Sequence, residues 1–226
     1  MKKGLLFSAL LAVAFMSAAG QEALLMTSIE TGNFNQVCSA LDSGANPNTV
    51  GNDGRPPLIA ALQSIQVSSE GKIDLRIAEL LVIRGADVVK PLQWGMPALF
   101  HLLDCCAVWN APEYDAFSCN LNSKGLSAMD MNAVRSLALL MIEHGAKTSF
   151  ADPATGDTAL MLAVPCRDLA LVKLLVHNGA DPAAANQEGQ TAAEIALQLA
   201  DALDPPCLNS FKIQYLEIAE YLAGLN

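Results

Sequence analysis

A Gly-Ala pair recurs four times, at Gly44-Ala45, Gly85-Ala86, Gly145-Ala146 and Gly179-Ala180. The last three come after short apolar runs: Leu75-Arg76-Ile77-Ala78-Glu79-Leu80-Leu81, Leu137-Ala138-Leu139-Leu140-Met141-Ile142 and Leu171-Val172-Lys173-Leu174-Leu175-Val176. In each run the apolar residues fall at i, i+3 and i+4, the pattern of a helix with one buried face. A glycine after such a run suits the left-handed conformation that ends a helix, where a Cβ would clash. A second signature lies between these ends: Asp53-Gly54-Arg55-Pro56-Pro57-Leu58, Gly95-Met96-Pro97-Ala98-Leu99, Gly156-Asp157-Thr158-Ala159-Leu160 and Gly189-Gln190-Thr191-Ala192-Ala193. Its glycine predicts a tight turn. Its Thr predicts a cap on the next helix, and Pro is tolerated in a first turn. Such a unit cannot bury its apolar face alone, so the chain must stack one unit on the next.

These residues resemble the ankyrin repeat: a turn, a Thr-Pro-Leu-like helix start, a short helix, a second helix and Gly-Ala-Asp. Asn46-Pro47-Asn48, Asp87 and Asp181-Pro182 match the residues found after Gly-Ala in that family. Pro56 and Pro97 replace the capping Thr in two repeats, the last turn signature lacks the Leu, and Ile59, Phe100 and Met161 stand where the family's His is usual. The resemblance implies an all-α solenoid of about five helix-turn-helix repeats over residues 21–226. Their approximate bounds are 21–50, 51–90, 91–150, 151–185 and 186–226, with helices near Ala23–Glu30 and Phe34–Ser43 in the first.

The turn glycines are spaced 41, 61 and 33 residues apart, and the last is the regular period of the family. The extra residues fall between the two helices of a repeat, at Gln63–Lys72 and Asp104–Met131, and a third insertion lies at Asp201–Asn209. In an ankyrin repeat that position is on the edge opposite the hairpin fingers, so all three insertions are expected on one edge. Insertions in a solenoid often build its binding surface. The longest one holds Trp109, Glu113, Tyr114, Asp115 and Phe117. Aromatics of this kind anchor interfaces, and they also pin loops to the helices beneath. Trp94 and Phe150 fall in the fingers, a second surface that the family uses for partners.

All six cysteines lie beyond residue 37: Cys38, Cys105, Cys106, Cys119, Cys166 and Cys207. A bridge from Cys119 to Cys105 or Cys106 would close a loop of about fourteen residues, worth roughly 3 kcal/mol. Aligned repeats bring Cys207 to the level of Cys166, which predicts a second bridge. Buried thiols are the other reading, and Cys38 has no evident local partner.

Lys2 and Lys3, the apolar stretch Gly4–Met16 and the small residues Ser17-Ala18-Ala19-Gly20 together read as a signal peptide over 1–20. The stretch is short for a bilayer span, which takes roughly 20 residues. A membrane anchor or a buried first helix is the competing interpretation. Export to the periplasm is the expectation, with secretion as the alternative. The chain holds 13 Lys and Arg against 23 Asp and Glu. That balance opposes nucleic-acid binding and adhesion to anionic lipid, and favours a basic partner.

No phosphate loop, dinucleotide fingerprint, nucleophile elbow or zinc spacing occurs. His101, His144 and His177 are isolated from one another, and Ser64, Ser68 and Ser69 have no neighbouring base. The expectation is therefore a monomeric binding protein without catalytic residues, cofactor or metal. Exported bacterial ankyrin proteins include immunity proteins that block a toxic or peptidoglycan-cleaving enzyme, accessory factors for periplasmic catalase, and host-directed effectors. The signal peptide, the acidic charge and the bridged loop fit the immunity kind best. The mature chain is expected to start at Gly20 or Gln21. Intact mass spectrometry of the exported protein checks this, and a mass that retains Lys2 and Lys3 refutes it.

Overall fold

The computed structural model describes residues 18–225, apart from 52, 66–71, 90–95, 110–112, 116–119, 123–127 and 204–208. The described residues form ten α-helices, in order α1 Ala18–Glu30, α2 Phe34–Asp42, α3 Pro57–Ser64, α4 Arg76–Ile83, α5 Ala98–Trp109, α6 Ala128–Glu143, α7 Ala159–Ala163, α8 Leu169–His177, α9 Ala192–Ala202 and α10 Asn209–Ala223. They pair as five antiparallel hairpins. Each odd-numbered helix packs on the next odd one, and each even-numbered helix on the next even one. The result is a two-layer helical solenoid, as the repeat pattern predicts.

The helix ends explain the Gly-Ala pair. Gly44, Gly85, Gly145 and Gly179 have φ of 94°, 87°, 99° and 90°. Each Gly N–H bonds three residues back, and each following Ala N–H bonds five residues back, as in Ala45 to the Ala40 carbonyl at 3.0 Å. This pattern satisfies carbonyls that the helix end would otherwise leave open. It also turns the Ala inward: Ala45, Ala86, Ala146 and Ala180 are all buried. The expected Thr caps are present on two inner helices. Thr158 accepts from the Met161 N–H at 3.4 Å, and Thr191 from the Glu194 N–H at 3.3 Å. Glu194 in turn accepts from the Thr191 N–H at 2.7 Å, which completes a capping box. Pro56 precedes α3 with no side-chain bond, and Pro57 occupies the first turn.

Several local features differ from the sequence reading. Helix α1 begins at Ala18 rather than near Ala23, because Ala and Gln sustain a helix well. The expected leader 1–20 lies outside the described residues except for its last three. Helix α5 runs on through Asp104 to Trp109, into what the spacing marks as insertion. Beyond it, β1 Glu113–Asp115 pairs antiparallel with β2 Asn120–Asn122, with Tyr114 opposite Leu121. The solenoid itself is helical, and this hairpin is an addition carried by the insertion. Pro165 shortens α7, and a single 3₁₀ turn, Val164–Cys166, comes next. Arg167 then takes φ of 56°, the one positive-φ non-Gly among the described residues.

Fingers are tied to one another by polar bonds. The Gln187 N–H donates to the Thr155 carbonyl at 2.9 Å, and the Asn186 amide to Asp157 at 3.0 Å. At the other end, the Asn48 amide donates to the Gly85 carbonyl, and Asn48 accepts from the Asp87 N–H. Close packing explains one glycine specifically. A Cβ on Gly156 would lie 2.8 Å from the Gln187 nitrogen, whereas one on Gly189 would meet nothing within 4 Å. Their φ values, 77° and 78°, are equal in effect. Ala at either site therefore incurs the same backbone strain of about 1–2 kcal/mol. Gly156→Ala is expected to lose a further 1–3 kcal/mol or so from overpacking against the next finger. Urea denaturation of the two variants side by side measures the difference, and equal midpoints would refute the close approach.

Candidate functional site

Two clefts lie where inner helices meet fingers, one near each end of the stack. The first cleft, about 430 Å³, lies between α1 and the first finger, with Glu22, Met26 and Glu30 on one wall and Val50, Gly51 and Asp53 on the other. The second, about 620 Å³, lies between α7, α9 and the last two fingers. Met161, Leu162, Ile195 and Leu199 supply its apolar surface, and Asp157, Gln187, Glu188 and Gln198 its polar surface.

Repeat geometry relates the two ends. Leu162 and Ile195 each stand six residues after their turn glycine, and Ala60 and His101 hold the same position in the second and third repeats. His101 is half-buried, and its Nε2 has no hydrogen-bond partner among the described residues. Burial pushes its pKa below the usual value, and the charge of Asp104, one turn further along α5, partly offsets this.

Phe150 is the one proposed finger contact whose side chain is described. It is half-buried, and its ring meets Phe100 edge to face at 5.1 Å, so it braces the finger against α5. Trp94 and Phe117 lie outside the described residues. Trp109 ends α5, and Glu113, Tyr114 and Asp115 form β1. The structure thus brings four of the proposed insertion contacts to the far end of α5 and the hairpin beyond it.

The insertion edge is anchored by charge and sulfur. Arg135 on α6 pairs with Asp168, which also caps α8 by accepting from the Leu171 N–H at 2.9 Å. Asp130, buried at the start of α6, accepts from the Ile73 N–H at 3.2 Å and so ties the chain just after the first insertion to the end of the second. The Arg167 guanidinium lies 3.9 Å from the centre of the Phe211 ring, joining the fourth repeat to α10.

Cys106 and Cys166 are both buried. The Cys106 sulfur sits 4.0 Å from Met131 Sδ, and the Cys166 thiol faces the Leu103 carbonyl at 3.5 Å. The Cys106 thiol and burial push the Cys166 pKa well above the ordinary range. Burial, with Asp104 and Cys106 nearby, raises that of half-buried Cys105 to about 11. Thiols held protonated in this way make poor nucleophiles. Cys119 and Cys207, each the second half of an expected bridge, lie outside the described residues.

His177 sits in the last turn of α8. His144 comes directly after α6, and its Nδ1 is 2.9 Å from the Leu140 carbonyl. Ser64 bonds to the Ala61 carbonyl, and Ser68 and Ser69 lie outside the described residues. Among the described residues, no three His, Cys, Asp or Glu side chains are placed to hold a metal. No described helix is long and apolar enough to cross a membrane.

Residues 155–187 match the ankyrin-repeat family. The matched stretch runs from one finger through α7 and α8 to the next finger. The helical solenoid thus carries an ankyrin repeat in its fourth hairpin. Over 79 residues, the chain is 35% identical to the ankyrin repeat and SAM domain-containing protein 6 of Danio rerio. That alignment covers 35% of this chain and 11% of the relative, so only a small part of the larger protein is matched. The ankyrin repeat is a protein-binding module.

The lowered pKa of His101 predicts a pH dependence of the fold. The unfolded histidine takes up a proton near pH 6.5, whereas the folded one resists it. More protons are then bound in the unfolded state, so stability falls as pH drops through this range. His101→Gln is expected to reduce the loss in urea midpoint between about pH 7 and pH 5 relative to the parent. Identical pH profiles would show that His101 is not the group responsible.

Proposed function

We propose that this chain is an exported, periplasmic inhibitor of the immunity kind, which binds and blocks an exported enzyme such as a peptidoglycan hydrolase. The observation that carries the reading is the third-repeat insertion. There the helix α5 extends to Trp109 and leads into a hairpin bearing Glu113, Tyr114 and Asp115. A solenoid gains reach from such an arm without losing its stack. Phe117 completes the aromatic set in sequence. Disulfides from Cys119 to Cys105 or Cys106, and from Cys166 to Cys207, would stiffen the edge in an oxidising compartment and lower the cost of ordering it on binding.

The acids supply orientation and a faster encounter with a basic surface, and the aromatics supply buried anchors. Purification of the tagged protein from the periplasm is expected to recover one exported hydrolase in stoichiometric amount. Recovery of a catalase instead would reassign the chain to oxidative-stress support. Trp109→Ala and Tyr114→Ala are each expected to weaken the complex by about thirtyfold, or about 2 kcal/mol, with unchanged helical circular dichroism. Parent-like affinity in both variants would make the insertion structural, and loss of binding in Trp94→Ala would move the interface to the fingers.

A further inference from the structure

The third and fourth hairpins meet through sulfur. Cys106 lies on α5 three residues before Trp109, at the stem of the insertion, and Cys166 closes the 3₁₀ turn that follows α7. Their places in the repeat nearly coincide: Cys106 stands eleven residues after Gly95, and Cys166 ten after Gly156. Helices α5 and α7 pack as adjacent inner helices, and the 3₁₀ turn packs on α5 as well. Packed helix axes are about 10 Å apart and Cα atoms lie about 2.3 Å from each axis, which leaves about 5 Å between Cα atoms that face each other. A disulfide takes Cα atoms about 4.4–6.8 Å apart.

The side chains do face each other. The Cys166 thiol reaches the Leu103 carbonyl at 3.5 Å, and Leu103 lies one turn before Cys106 on the same face of α5. The two thiols are within hydrogen-bonding reach of one another. Met131 Sδ lies 4.0 Å from the Cys106 sulfur, and neither cysteine exposes any surface. Cys105 is half-buried and is turned about 100° away from Cys106 around the helix.

We propose that Cys106 and Cys166 form a disulfide that fastens the stem of the insertion to the fourth repeat. In the cell the bond rests on the export proposed above, because disulfides persist in oxidising compartments. It gives Cys166 a partner in place of Cys207 and leaves Cys119 to Cys105. The chemistry is thiol–disulfide exchange with a disulfide donor such as oxidised glutathione. The Cys106 thiolate attacks one sulfur of the donor, forms a mixed disulfide and releases one thiol. The Cys166 thiolate then attacks the Cys106 sulfur and releases the second. The two cysteines lose two protons and two electrons, and the donor is reduced to two thiols. Burial places this exchange before the two hairpins close on each other, since no donor reaches either sulfur in the folded chain.

The test uses the full chain, reduced and unfolded in urea and then refolded in a buffer of reduced and oxidised glutathione. Remaining thiols are alkylated, and the protein is digested without reduction for mass spectrometry. A cross-link between the segments around Cys106 and Cys166 is expected. It should persist in Cys105→Ser and in the double variant Cys119→Ser with Cys207→Ser, and vanish in Cys106→Ser. In the refolded parent it should resist dithiothreitol at a concentration that reduces it in urea. A bond from Cys166 to Cys207, a bond from Cys106 to Cys119, alkylation of both Cys106 and Cys166, or loss of the cross-link in Cys105→Ser overturns the inference. The buffer supplies the oxidant and no partner is present, so the bond can fail while export and inhibition stand, and it can form where they fail.

Discussion

A left-handed glycine at the end of each of the first four outer helices organises the molecule. It lets two backbone bonds close the helix and drives the next residue, always Ala, into the core. The chain then leaves at a fixed angle to form a finger and re-enters as the next inner helix. Any larger residue after the glycine would force the finger away from the stack, and any Cβ at the glycine would strain the turn. The two-layer arrangement, the row of fingers and the groove between fingers and inner helices all descend from this one repeated turn.

The structure divides between what repeats and what does not. The repeated parts give a groove whose walls are equivalent from one hairpin to the next. Differences between repeats then appear as side chains at equivalent positions, such as His101 where other repeats carry Ala60, Leu162 and Ile195. The unrepeated parts are the insertions at the opposite ends of the inner helices. Asp130 and the Arg135–Asp168 pair fasten this edge to the helices below. The two surfaces can therefore evolve with little cross-talk, since neither cleft borrows residues from the longest insertion.

Much of the fold was legible because its signals are local. Helical periodicity, helix-ending glycines and capping threonines each act within a few residues, and they placed the hairpins and insertions. The β-hairpin was not legible: Glu113-Tyr114-Asp115 and Asn120-Leu121-Asn122 are too short to carry a period-two signal. Nor was the reach of α5 into the insertion, since the spacing marks where residues are surplus and says nothing of their conformation. The groove chemistry was less visible still. Glu22 and Glu30 stand on α1 and Glu188 in a finger, and only the stacking of hairpins sets such distant residues beside clefts. The aromatic residues drew notice by type alone, and Phe150 proves to brace Phe100 rather than stand free. The buried neighbours Cys106 and Cys166 likewise escape a reading that pairs cysteines by loop length.

Stacking between adjacent hairpins has a mechanical consequence. Among the described helices, each hairpin packs against its neighbours along the stack, and none packs from the first repeat to the last. Tension applied between the termini falls on one interface at a time. The ends have a neighbour on one side only, so they are the first to peel, and the middle repeats, gripped on both faces, yield last. Small rotations at the four interfaces add along the stack. The protein thus behaves as a short, stiff spring that can flex along its length to track the contour of a bound surface while every individual hairpin keeps its shape.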